Sequence, residues 1–104
     1  MLIMRKEREQ EESMNFNGEV AVITGSSAGI GAETAKKITS LGGKVTINYS
    51  KSSDAAEKIA HECSKLGENP LVIKADMSSD EGCKELIETT IKEFGSINVL
   101  VNNA

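Results

Sequence analysis

The sequence is poor in aromatic residues and in residues that bind metals. Only 3% of its 104 residues are aromatic, Trp is absent, and there are two Cys and one His. A structural zinc site takes about four ligands, mostly from Cys and His, so this composition excludes one and we expect no metal site. Cys63 and Cys83 are instead predicted to be buried or half-buried thiols, and His61 a solvated surface residue.

Long apolar runs and clusters of positive charge are also absent. The apolar N-terminus ends at Arg5, whereas the apolar region of a signal peptide needs about 7 to 15 residues and a membrane span about 20. We therefore expect a cytoplasmic protein that does not associate with membranes. The formal net charge is −4, and no run of Lys and Arg stands apart from Glu, which disfavours nucleic acid as a partner.

The residues that are present are typical of one globular domain. A chain of this length buries roughly two-thirds of the surface of its unfolded form, and it has 38% hydrophobic and 27% charged residues. Residues 1–17 contain the polar run Arg5–Glu12 and are predicted to be a polar tail that frays. The domain is then expected to span residues 18–104, and the change in composition marks Met14 as a candidate original start residue.

Apolar runs and helical stripes alternate from Glu19 onward. Short apolar or β-branched runs predict four strands, at Val20–Thr24, Lys44–Tyr49, Pro70–Ala75 and Ile97–Val101. Apolar residues spaced three and four apart predict three helices between them, which end at Gly42-Gly43, Gly67 and Gly95. Ser78-x-x-Glu81 has the pattern of a capping box at the start of the third helix.

This alternation, βαβαβαβ, predicts an α/β fold with a parallel sheet. Right-handed crossovers leave the doubly wound order 3-2-1-4, in chain order, as the most economical arrangement. The first two helices then cover one face of the sheet and the third helix covers the other. Cys63 and Cys83 would lie on opposite faces, which excludes a disulfide between them.

A glycine-rich turn follows the first predicted strand. In TGSSAGIG, residues 24–31, glycines permit a tight turn, close approach of a pyrophosphate and close packing of the next helix. The amides and the dipole at the N-terminus of that helix favour an anion. The spacing G-x-x-x-G-x-G differs from the common G-x-G-x-x-G fingerprint and from the P-loop, so a glycine turn without a ligand remains an alternative.

Three motifs in order give the chain a family resemblance. TGSSAGIG after the first strand, Asp76 in ADMS after the third and Asn102-Asn103-Ala104 after the fourth resemble the TGxxxGxG, strand-three Asp and NNAG signatures of the short-chain dehydrogenase/reductase family. The resemblance covers residues 18–104. It implies part of an NAD(P)-binding Rossmann domain, and an oxidoreductase that moves hydride between a nicotinamide and a carbonyl or alcohol substrate.

The resemblance also implies which residues bind the coenzyme at the turn. Gly25, Gly29 and Gly31 would shape it, and Ile30 would pack against the nicotinamide half. Ser27, beside them, belongs to the same predicted site.

Further predicted contacts follow the later strands. Asp76 would hydrogen-bond the adenine, with Met77 beside it, although a helix-capping or turn acid is the alternative. Asn102 would brace the sheet and the coenzyme loop, with Ala104 near the ribose, and the alternative for Asn102 is a plain strand-end turn.

The end of the second predicted strand bears on the choice of coenzyme. An NAD site usually has an acid about 20 residues past the glycines, which binds the ribose 2′-hydroxyl, but residues 48–53 contain none. Lys51, beside Tyr49, is suited to hold the 2′-phosphate of NADP. The hydroxyl groups that would assist it belong to Ser26, Ser50 and Ser52. NADP is therefore predicted over NAD, with an ordinary exposed lysine as the alternative for Lys51.

The family's catalytic residues have no match in this chain. Its Tyr-x-x-x-Lys motif is absent, because Tyr49 is the only Tyr and Ser53 stands four residues later. We therefore predict no catalytic residue, and expect the chain to be the coenzyme-binding N-terminal part of such an enzyme, inactive alone. A non-catalytic dinucleotide-binding or interaction module is the alternative. The fourth strand would be an unpaired apolar edge, which favours self-association, and the substrate is not predicted.

Overall fold

A mixed five-stranded sheet lies at the centre of the computed structural model, which describes residues 2–6 and 15–103. The strands are β1 (Leu2–Arg5), β2 (Val20–Ile23), β3 (Lys44–Tyr49), β4 (Leu71–Lys74) and β5 (Val99–Asn102). The helices are α1 (Gly29–Ser40), α2 (Ser53–Ser64) and α3 (Asp80–Phe94). None of the helices in this part of the chain combines the length and apolar character needed to cross a membrane.

The strand order is β1-β5-β2-β3-β4. Strands β2 to β5 are parallel to one another, and their order is the doubly wound 3-2-1-4 arrangement expected from the sequence. The α/β fold class is therefore confirmed. β1 adds an antiparallel strand, because Leu2 lies opposite Asn102 and Arg5 opposite Val99.

The two faces of the sheet carry separate apolar clusters. Ala21 and Ile23 pack with α1 and α2 in the larger cluster, whereas Val22 between them packs with Leu86 of α3 in the smaller one. β2 therefore needs apolar residues at every position, which explains its continuous apolar run. Thr46 and Thr90, both buried, join β3 to α3 by a hydrogen bond of 2.9 Å.

The two cysteines differ in exposure. Cys63 is buried among the residues of the larger cluster, where burial raises the pKa of its thiol. Cys83 is exposed, so the prediction that it is at least half-buried is wrong. The buried stripe of α3 runs through Gly82, Leu86 and Thr90, which turns Cys83 outward. Both thiols are free.

The start of α3 differs by one residue from the predicted capping box. Ser79, not Ser78, is the N-cap residue, and its Oγ accepts a hydrogen bond from the Gly82 amide at 2.9 Å. Ser78 instead donates to Asp76 Oδ1 from its hydroxyl at 2.7 Å and from its amide at 2.9 Å. The acid two residues upstream therefore holds Ser78 away from the helix.

The prediction of a fraying tail is wrong for the first strand. Leu2–Arg5 pairs along β5, so the prediction that the fourth predicted strand is an unpaired edge is also wrong. Arg5 fixes this strand because its guanidinium donates to both carboxylate oxygens of Glu19, at 3.0 and 2.6 Å, and lies 4.0 Å from the ring centre of Phe16. The hydrogen bond to Glu19 raises the pKa of Arg5. Met14 lies outside the described residues.

Candidate functional site

The predicted site residues follow the carboxyl ends of four parallel strands. The glycine turn follows β2, Lys51 follows β3, Asp76 follows β4, and Asn102 is the last residue of β5. In a doubly wound sheet, ligands bind at this edge, where the strand order reverses. Ala104, the last predicted contact, lies outside the described residues.

Two kinds of constraint require the glycines of the turn. Gly25 and Gly29 have φ angles of +61° and +59°, in the left-handed region that residues with a Cβ rarely adopt. Gly31 is required for space, because a Cβ there would lie 2.6 Å from both Gly25 O and Asn103 Nδ2. The helix α1 therefore packs directly on the turn. Its N-cap residue, Ala28, supplies no side-chain hydrogen bond to the first amides of α1.

Two asparagines hold the peptide groups of Gly25 from opposite sides. Asn48 Oδ1 accepts a hydrogen bond from the Gly25 amide at 3.0 Å, and Asn103 Nδ2 donates to the Gly25 carbonyl at 3.1 Å. Neither residue was among the predicted contacts. For Asn48 the available signal was a polar residue at the end of an otherwise β-branched strand, and for Asn103 it was the second Asn of the terminal motif.

Asn102 contacts the strand end rather than the glycines. Its Oδ1 accepts from Thr24 Oγ1 at 3.3 Å, and Thr24 Oγ1 also accepts from the Asn103 amide at 2.9 Å. Asn102 therefore joins the ends of β5 and β2, while Asn103 reaches the turn.

The hydroxyl of Ser26 is not placed for a phosphate. Ser26 is fully buried, its Oγ donates to Ile23 O at 2.8 Å, and it accepts from the Asn48 amide at 2.9 Å. These two bonds tie the turn to β2 and β3, so the expectation that Ser26 donates to the 2′-phosphate is wrong. Ser27 is half-buried, and Ile30 exposes 65% of its surface beside the turn.

The loop after β3 leaves its cation in solvent. Lys51 and Ser50 are exposed, and no acid lies among residues 48–53. Ser52 is the N-cap residue of α2, since its Oγ accepts from the Ala55 amide at 3.3 Å. Tyr49 is half-buried against the larger apolar cluster. Lys51 and the hydroxyl of Ser50 are exposed groups of this loop that could contact an anion.

Asp76 is a charged residue at the start of the loop after β4. Its side chain is exposed, and hydrogen bonds from the hydroxyl and then the amide of Ser78 lower its pKa. Both Ser78 bonds go to Oδ1, as in the turn acid that the sequence left open, and they do not exclude the predicted hydrogen bond to the adenine, which stays a prediction. Met77, next to it, is half-buried against the smaller cluster.

Comparisons with known proteins agree with this arrangement. A family profile described as short chain dehydrogenase matches residues 19–104. The chain is 43% identical over 89 residues to a 7alpha-hydroxysteroid dehydrogenase from Bacteroides fragilis, covering 85% of this chain and 34% of that protein. It is 40% identical over 89 residues to a 3-oxoacyl-[acyl-carrier-protein] reductase from Synechocystis sp., covering 86% and 36%. The chain thus spans about a third of the length of these curated relatives.

A solved structure gives the same result for the fold. The crystal structure of a short chain dehydrogenase from Burkholderia cenocepacia J2315 in complex with NADP matches with a TM-score of 0.83 and 33% identity. The match covers 86% of this chain and 37% of the other.

Proposed function

The chain belongs to the short-chain dehydrogenase family, and we propose that it is the coenzyme-binding part of an NADP-dependent oxidoreductase. The observation that carries this proposal is the glycine turn, because Gly25 is held on both sides while the first amides of α1 receive no side-chain cap. Such amides bind phosphate through hydrogen bonds and the helix dipole. The cytoplasmic location remains a prediction.

Each part of the coenzyme has a candidate partner at this edge. The turn would bind the pyrophosphate, and exposed Ile30 would cover part of the nicotinamide half. Asp76, ionised above its lowered pKa, would accept a hydrogen bond from the adenine amino group. When bound, the coenzyme supplies hydride exchange with a carbonyl or alcohol.

The preference for NADP is proposed from the loop after β3. A carboxylate there would repel a 2′-phosphate, and residues 48–53 contain none. Lys51 is exposed at the same loop, and a lysine can bind phosphate as a point charge. The relative from Burkholderia cenocepacia that was crystallised with NADP supports this choice.

Binding of the two coenzymes to the 104-residue chain tests the proposal. We expect NADPH to bind more tightly than NADH by fluorescence titration, and Lys51→Ala to weaken NADPH binding about tenfold while leaving NADH unchanged. Lys58→Ala, which removes an exposed lysine of α2, is the matched control and should change neither affinity. Equal affinities for NADH and NADPH would contradict the preference, and no binding of either would contradict the site.

We propose that the 104-residue chain does not catalyse hydride transfer by itself. Tyr49 is the only Tyr and is followed four residues later by Ser53, so the proton-transferring Tyr-x-x-x-Lys pair implied by the resemblance is not among its residues. No oxidation of NADPH is expected with a panel of ketones and aldehydes. Measurable turnover would overturn this part of the proposal.

The lack of a Tyr-x-x-x-Lys pair among these 104 residues also favours a second candidate, a non-catalytic dinucleotide-binding or interaction module. The coding sequence after Ala104 distinguishes the two. An in-frame continuation with Gly and a later Tyr-x-x-x-Lys would support an oxidoreductase, whereas a stop codon in the natural transcript would support the module.

A further inference from the structure

We propose that Asn48 is a positioning residue that fixes two coenzyme-binding segments, the glycine turn and the Asp76 loop, relative to each other. The proposal rests on the proposed function and adds to it a buried residue that acts through its contacts with these two segments. Asn48 is the next-to-last residue of β3, the strand between β2 and β4, and is 2% exposed.

The side-chain amide of Asn48 bonds to both neighbouring strands. Its Oδ1 accepts from the Gly25 amide at 3.0 Å, and its Nδ2 donates to the Ala75 carbonyl at 3.1 Å. Its backbone adds two bonds to Ser26, since the Asn48 amide donates to Ser26 Oγ at 2.9 Å and its carbonyl accepts from the Ser26 amide at 3.1 Å. One residue thus holds the turn after β2 and the residue immediately before Asp76.

This position requires an acceptor and a donor on one short side chain. A leucine would leave the buried Ala75 carbonyl and the partly buried Gly25 amide without their side-chain partner, which is unfavourable. An ionised aspartate would accept from Gly25 but has no hydrogen to donate to Ala75. Glutamine has the same two groups on a side chain one methylene longer than that of asparagine.

Thr46 shows that not every buried polar group of β3 has this role. It lies two residues earlier, on the same face of the strand, and is also fully buried. Its hydroxyl bonds to Thr90 Oγ1 at 2.9 Å and so joins the sheet to α3. Thr46 therefore serves the packing of the fold, whereas Asn48 serves the geometry of the site.

The test compares Asn48→Leu with Thr46→Val in the 104-residue chain. In the coenzyme-free protein, we expect Asn48→Leu to speed amide hydrogen exchange of Gly25 at least about tenfold more than that of Val22 in the core. We also expect it to weaken NADPH binding about tenfold, because a displacement near 1 Å is costly at a positioned site. Thr46→Val should leave the ratio of the two exchange rates and the NADPH affinity within about twofold of wild type.

Asn48→Asp separates the two contacts. At neutral pH its carboxylate keeps the acceptor for Gly25 and loses the donor to Ala75, so exchange should quicken in Met77 and Ser78 while the Gly25 amide stays protected. Should Asn48→Leu fail to fold, this variant carries the test. Unchanged amide exchange at Met77 and Ser78 in Asn48→Asp would overturn the proposal. So would equal effects of Asn48→Leu and Thr46→Val on the ratio of the Gly25 and Val22 exchange rates. Lack of NADPH binding by wild type would contradict the proposed function, while the exchange rates would still decide the role of Asn48.

Discussion

The two sides of the glycine turn differ in how their asparagine is protected. Asn48 belongs to an interior strand and is 2% exposed. Asn103 is half-buried and follows β5, a strand that lies between β2 and the edge strand β1. β1 lies outside residues 19–104, which the family profile matches. Gly25 is therefore held by an interior contact on one side, and on the other by a contact next to a strand that precedes the profile-matched residues.

This difference shows how burial decides the strength of two similar hydrogen bonds. Water can replace the bond from Asn103 when the side chain is removed, because the residue is half-buried. Asn48 itself is 2% exposed and its bond to the Ala75 carbonyl is buried, whereas its bond to the Gly25 amide is partly buried. A buried polar group without a partner costs about 1–3 kcal/mol, whereas an ordinary hydrogen bond contributes about 1 kcal/mol.

The largest effect is expected from removing the interior asparagine. Asn48→Leu should lower the free energy of unfolding by about 3 kcal/mol, since it leaves the buried Ala75 carbonyl and the partly buried Gly25 amide without their side-chain partner, and Asn103→Leu by only about 1 kcal/mol. Urea denaturation of both variants measures the difference. Equal losses would mean that the two sides of the turn are protected to the same degree.

A methyl group placed between α1 and the turn tests the outer side. Gly31→Ala introduces a Cβ 2.6 Å from Gly25 O and Asn103 Nδ2, so we expect a loss of about 2–3 kcal/mol in unfolding free energy, typical of overpacking. Asn103, being less enclosed than Asn48, should be the partner that moves. Amide exchange should then quicken at Asn103 before it does at Asn48.

Gly29→Ala is the matched control for this change. A Cβ at Gly29 meets no atom within 4 Å, although its φ of +59° is strained for alanine, so about 1–2 kcal/mol is expected. A loss in Gly31→Ala no larger than that in Gly29→Ala would show that the packing against Gly25 relaxes freely.

The sequence predicts the parallel part of the sheet because its signals are local. Continuous apolar runs mark strands buried on both faces, and right-handed crossovers restrict their order. β1 carries no such signal, since Leu2–Arg5 is short and its partner, Val99–Asn102, lies at the other end of the chain. The site shows the same limit: the glycines are visible as a motif, but the bonds of Asn48 depend on three strands meeting.

The outer edge should open when its salt bridge is removed. Arg5→Ala deletes the guanidinium that contacts Glu19, whose side chain is 9% exposed. Because this pair is only partly buried, we expect a loss of about 2 kcal/mol. Release of β1 would expose the apolar edge of β5, so the variant should also self-associate as its concentration rises in size-exclusion chromatography.

Lys6→Ala is the control for charge. It removes one positive charge next to Arg5 from an exposed side chain and should leave both the unfolding free energy and the elution volume unchanged. If Arg5→Ala remains a monomer with unchanged exchange at Leu100 and Asn102, the β5 residues whose backbone faces β1, the salt bridge does not secure the edge.

The smallest effect concerns the Asp76 loop, on the interior side of the turn. The Ser78 hydroxyl is the main cause of the lowered pKa of Asp76, and the Ser78 amide is the second. Ser78→Ala should therefore raise this pKa toward its ordinary value without restoring it fully, as measured by NMR titration of the Asp76 side chain. Since the folded pKa is lowered, the stabilisation is present above the unfolded pKa and is lost as the pH falls through the folded pKa. In the variant this contribution is smaller and is lost at a higher pH.

Ser79→Ala, at the adjacent serine, removes the N-cap of α3 and should cost about 1 kcal/mol of stability while leaving the pKa of Asp76 unchanged. If instead Ser79→Ala shifts the pKa of Asp76 and Ser78→Ala does not, the two serines have exchanged roles. The loop after Ala75 would then have a different arrangement from the one described above, in which Asn48 bonds to the Ala75 carbonyl.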